Sequence, residues 1–191
     1  MSQPAPSIEQ LDRALDAVGR LIAGVREDQW SAPTPCTEWD IRALVAHLVR
    51  ANRVFVALLS DDSTPEAGIE SLGEDPLKAY LESGAALVKA AERPGVLDRT
   101  FRGPLGEASG AERIQLRIAD LLTHGWDLAR ATGRPVDLPG DLVEQALAFA
   151  RHQLADLPRA GRFDPAQPVA DDAPAVDRLA ALLGRRVGVG D

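Results

Sequence analysis

The chain has 191 residues, 45% apolar and 26% charged, which is the make-up of a soluble globular protein long enough for one well-buried core. Its 29 acidic and 21 basic side chains leave a net charge of −8 with no segregated basic face, so a phosphate backbone would be repelled and nucleic acid is excluded as a partner. No signal-peptide pattern opens the chain, no apolar run approaches the roughly 20 residues that span a bilayer, and a single cysteine, Cys36, rules out an internal disulfide; the expectation is a cytoplasmic protein outside the membrane.

Aromatic residues make up only 4%, which leaves the core to Leu, Ala and Val. Helical periodicity runs almost throughout, with no sustained two-residue alternation. Ser7 is placed to cap a first helix over about 7–28, with Gln10 completing a capping box and Ile8, Leu11, Leu15, Val18, Leu21, Ile22 and Val25 on one face. The prolines of "WSAPTPC" break the pattern, and a second helix spans about 38–60 with Ile41, Leu44, Val45, Leu48 and Phe55 inward. "DDSTPEAGIESLGED" reads as a loop. A third helix opens at Asp75 with Pro76 in its first turn and ends at "PG", residues 94–95.

Residues 96–110 hold too much glycine for a helix and read as an irregular or briefly extended crossover. A fourth helix covers about 111–132, stopped by Gly133; a fifth follows Pro139, and "APAVDRLAALLGRR" makes a short sixth. The pattern predicts an all-α fold, a four-helix bundle with additional C-terminal helices, as one domain over 1–191 with 1–6 and 186–191 as flexible ends.

Bundles build metal and ligand sites from side chains on facing helices, so the three histidines are the informative residues. His47 flanks the apolar stripe of the second helix. On the fourth, Asp120 and His124 stand four apart and share a face at the edge of the arc of Ile114, Ile118, Leu121, Gly125 and Leu128. That pair can point at a metal ion or at each other. With His47 it would give two imidazoles and one carboxylate, a three-ligand set with a position left for water or substrate. His152, beside Arg151 on the fifth helix, reads as exposed.

"WSAPTPCTEWDIRALVAHLVRAN", "LRIADLLTHGWDLARATGR" and the closing "APAVDRLAALLGR" resemble the actinobacterial branch of the DinB-like superfamily, the proteins related to the metal-binding domain of mycothiol-dependent maleylpyruvate isomerase, over roughly 7–185. The resemblance implies a divalent metal, zinc in the usual reading, at the matching positions His47, Asp120 and His124. Asp120 departs from the pattern, since the isomerase has Glu there and many DinB-like proteins His. It also implies mycothiol as cosubstrate, a small-molecule thiol whose thiolate attacks an electrophilic substrate. The full isomerase resembles a longer chain with a second C-terminal domain, and only a short stretch follows the fourth helix here. The expected activity is therefore a mycothiol-dependent transferase or conjugating enzyme rather than the isomerase itself.

Arg50, Arg53, Arg113 and Arg117 fall within a turn or two of these positions and are the candidates for binding substrate carboxylate or sugar oxygens. Asp127, three after His124, is placed to orient it from behind, to bind metal instead of Asp120, or to pair with Arg130. Cys36 precedes a helix N-terminus that would lower its pKa, although a buried, inert thiol is the plainer reading. Trp39 and Trp126 read as packing. The competing function is a non-catalytic metal-binding or small-ligand-binding bundle, with a homodimer through an exposed helix face.

Overall fold

The computed structural model describes residues 8–60, 72–103, 106–156 and 164–188. Among the described residues six helices carry the fold: α1 (Ile8–Ala23), α2 (Ile41–Ser60), α3 (Pro76–Ala91), α4 (Gly110–Thr132), α5 (Gly140–Asp156) and α6 (Ala175–Leu182). A hairpin of β1 (Thr100–Gly103) and β2 (Gly106–Ser109) stands between α3 and α4. The caps set the boundaries. Asp40 accepts from Ala43 N at 2.8 Å and opens α2, Asp75 accepts from Lys78 N at 2.9 Å with Pro76 behind it, and Ser109 forms a reciprocal capping box with Glu112. At the far end of α4, Gly133 takes the left-handed conformation at φ 67°.

Helix α1 stops at Ala23, earlier than its periodicity suggests, and a 3-10 turn covers Glu27–Gln29. The proposed Ser7 cap, residues 1–6 and the start of the loop after α2 lie outside the described residues. The glycine-rich crossover is the antiparallel hairpin, registered as Thr100 with Ser109 and Phe101 with Ala108. Its Phe101 is buried, and Arg113 donates from Nη2 to Phe101 O at 3.0 Å and to Gly106 O, tying the hairpin to α4.

Helices α1 to α4 form the bundle, and α5 and α6 pack on α4. This makes α4 the central helix. Although its sequence looks amphipathic, Arg113, Gln115, Arg117, Thr123, His124 and Asp127 are buried along with its apolar residues. Helix α2 is long and apolar enough, by length and composition, to cross a membrane, which corrects the expectation that no run comes near that length. In this fold its Ile41, Leu44, Val45, Leu48 and Val49 are core residues packed among the other helices.

Candidate metal centre

The loop before α2 is closed by one side chain. Thr34 Oγ1 donates to Trp39 O at 2.8 Å and accepts from Cys36 N at 3.1 Å, and the backbone bridges Pro33 with Asp40. The closed loop lays the Trp39 indole against His47, with ring centroids 4.5 Å apart and planes tilted by 30°. Trp39 also reaches the His124 ring at 5.6 Å, and the two imidazoles meet edge to face at 4.9 Å. Packing of α2 beside α4 thus brings His47 to the Asp120–His124 pair.

One donor atom each from His47, Asp120 and His124 lies within 4.8 Å of the others. Asp120 Oδ1 is 3.6 Å from His47 Nε2 and 3.4 Å from His124 Nε2, both longer than a good hydrogen bond. His47 Nε2 is buried and has no hydrogen-bond partner among the described residues. A buried, unpartnered imidazole nitrogen is costly unless something occupies its lone pair. Two nitrogens and one carboxylate oxygen suit a divalent transition ion, zinc included, so the residues present fit a metal.

Burial by itself would raise the Asp120 carboxyl, but the neighbouring imidazoles of His124 and His47 and the Arg117 guanidinium outweigh it and hold the group well below the usual carboxylate range. For His124, burial disfavours the charged ring, yet Asp120 and Asp127 prevail and raise its pKa. Asp127 is fully buried and its Oδ2 sits 2.9 Å from His124 Nδ1, which turns Nε2 toward the cluster. Its partner is Arg185, donating from Nη2 at 2.9 Å and from Nε at 3.3 Å, rather than Arg130. Arg130 instead donates to Asp177 and lies over the Trp126 ring, whose Nε1 also donates to Asp177 at 2.7 Å.

The four candidate arginines divide. Arg50 and Arg53 are exposed on α2. Arg113 and Arg117, expected at the substrate, are buried and committed to protein partners: Arg113 holds the hairpin, and Arg117 contacts Asn52, Leu48 O and Asp120. Helical spacing carries no sign of this, because a buried arginine and a solvated one recur at the same intervals. Cys36 is half-buried, and burial pushes its thiol up despite the opposing charge of Arg185, so the lowered pKa expected of a helix N-terminus is absent. His152 is exposed, as its position beside Arg151 suggested. Arg185 and Asn52 are the residues that sequence reasoning missed; neither stands at a helical spacing from a donor that would have marked it.

Residues 11–129 match the family model described as the mycothiol maleylpyruvate isomerase N-terminal domain. An uncharacterized protein of Mycobacterium tuberculosis strain CDC 1551 is 39% identical over 181 residues, which cover 92% of this chain and 95% of that one. A second uncharacterized protein of the same strain is 24% identical over 152 residues, 70% of this chain and 59% of its own. Among solved structures, the mycothiol-dependent maleylpyruvate isomerase superposes with a TM-score of 0.59 at 15% identity, and a histidine-to-alanine variant of it with 0.56. Each superposition covers 74% of this chain and 66% of the isomerase, so the chain spans slightly under two thirds of that enzyme's length. At that identity the likeness speaks for the fold, a DinB-like helical bundle. The family match and the mycobacterial relative place the chain: it belongs to the mycothiol maleylpyruvate isomerase N-terminal domain family.

Proposed function

We propose that the protein is a metal-dependent thiol transferase or conjugating enzyme that uses mycothiol against a small electrophile, with His47, Asp120 and His124 as the metal ligands and zinc as the ion. The observation that carries this reading is the buried, unpartnered His47 Nε2 facing the other two donors. A divalent ion held there supplies Lewis acidity that lowers the pKa of a coordinated thiol, so that the thiolate is available at neutral pH.

The rest of the site consists of this chain's own side chains. Asp127, its charge balanced by Arg185, fixes the His124 ring with Nε2 toward the cluster. Trp39 walls one side of the two imidazoles. The His47 and Asp120 side chains, each about one-third exposed, put the cluster near the surface, within reach of an entering thiol. Arg50 and Arg53 stand exposed on the helix that carries His47 and are the groups offered to carboxylate or sugar oxygens of the reactants.

Metal content of the purified full chain, measured together with mycothiol consumption against a panel of electrophiles, tests the reading. A stoichiometric ion, lost in His124→Ala, together with metal-dependent thiol consumption is the expected result. Protein that retains its ion but consumes no thiol with any electrophile would instead be a metal-binding bundle without catalysis.

A further inference from the structure

Arg117 is fully buried, and its guanidinium is held by acceptors on α2 and α4. Nε and Nη2 donate to Asn52 Oδ1 at 2.9 and 2.8 Å, Nη2 donates also to Leu48 O at 3.0 Å, and Nη1 donates to Asp120 Oδ2. Asn52 is anchored in turn, its Nδ2 donating to Ser83 Oγ at 2.9 Å and Ser83 Oγ donating to Tyr80 O at 2.8 Å. A chain of buried polar groups therefore runs from α3 through α2 to one oxygen of Asp120. The other oxygen, Oδ1, is the one that faces His47 and His124.

We infer that Arg117 is a positioning residue for the metal centre: by holding Oδ2 it fixes the carboxylate plane and leaves Asp120 a single oxygen to offer the ion. The inference rests on the metal-site reading above and adds to it. Aspartate is one methylene shorter than glutamate, so its carboxylate reaches less far from α4, and a fixed orientation compensates for reach. Guanidinium suits the task because its planar fork contacts Asn52, Leu48 O and Asp120 at once, which an ammonium cannot do in the same geometry. Such supporting contacts set how well a ligand is presented, and losing one typically weakens metal binding about 10–100-fold.

The positioning role can be separated from the effect of charge by sign. A buried cation beside the ligands repels a divalent ion, so a purely electrostatic Arg117 would give tighter binding once removed. A positioning Arg117 gives weaker binding. Cobalt(II) titration of the full chain, read by visible absorption and by competition with a chelator, measures both affinity and ligand geometry. Expected for Arg117→Met is cobalt affinity at least about ten-fold weaker, with an altered visible spectrum. Asn52→Ala keeps the charge but removes the acceptor of the guanidinium's Nε bond and of one Nη2 bond, and Arg117→Lys keeps the charge without the fork; both are expected to weaken binding in the same direction. These two also carry the test should Arg117→Met fail to fold. Unchanged or tighter cobalt binding with an unchanged spectrum, in folded variants of a parent protein that binds the ion, overturns the inference alone. A parent protein that binds no cobalt overturns the metal-site reading and this inference with it.

Discussion

Arg185 and Asp127, separated by 58 residues in the chain, form a partly buried two-point ion pair, and the Asp127 oxygen that accepts the shorter of its bonds also lies 2.9 Å from His124 Nδ1. The C-terminal segment thus reaches the back of a candidate metal ligand through a single carboxylate. Asp127→Asn is expected to lower zinc affinity by about 10–100-fold, measured by chelator competition, because the ring loses its anionic anchor. The variant also leaves Arg185 without a counter-charge, at a cost on the order of 3 kcal/mol in urea unfolding. Unchanged zinc affinity in the folded variant would remove Asp127 from the site.

The pH dependence of the metal-free protein follows from Asp120 and His124. Asp120 has a depressed folded pKa, so its contribution to stability is present above the ordinary aspartate range and fades as pH falls through the lower folded value. His124 has a raised folded pKa; its contribution is complete below the ordinary histidine value and is lost as pH rises through the raised one. Metal-free protein is therefore expected to have its highest thermal midpoint in mildly acidic solution and to lose stability toward alkaline pH. On the metal-site proposal zinc binding would have the opposite dependence, since the ion would displace the proton on His124, and its affinity is expected to rise across the same interval. Scanning calorimetry with and without zinc from pH 5 to 9 checks both slopes.

Arg113 supports the fold rather than the site. Removing its side chain leaves Phe101 O and Gly106 O without this donor and loosens the hairpin from α4. Arg113→Ala is expected to cost roughly 1–3 kcal/mol in urea unfolding while leaving zinc stoichiometry and affinity unchanged. A selective loss of zinc would assign it to the centre instead.

Gly110 begins α4 under the turn after α3. A Cβ there would lie 2.1 Å from Val96 O, while Gly110 N donates to Arg99 O at 2.8 Å, so neither backbone strand has room to move. Gly110→Ala is expected to destabilise the protein by about 1–3 kcal/mol, seen as a lower midpoint in thermal unfolding. A midpoint equal to that of the parent would show that this crossing yields.

The amino-acid sequence determined the helices and most of their ends, because periodicity, the aspartate and serine caps, Pro76 and Gly133 act within a few residues of themselves. It also determined that Asp120 and His124 share a helix face, and its two longest motifs pointed to the family. Only the tertiary structure decided that His47 meets that pair, that Arg117 turns inward to hold Asp120 while Arg50 stays exposed, and that Arg185 lands on Asp127. The hairpin after α3 was equally out of reach as a specific pairing. The physical reason is common to all of these. Helical spacing fixes which residues share a face, whereas what lies opposite that face depends on how whole helices pack, and a buried charge differs from a solvated one only through partners supplied from distant segments.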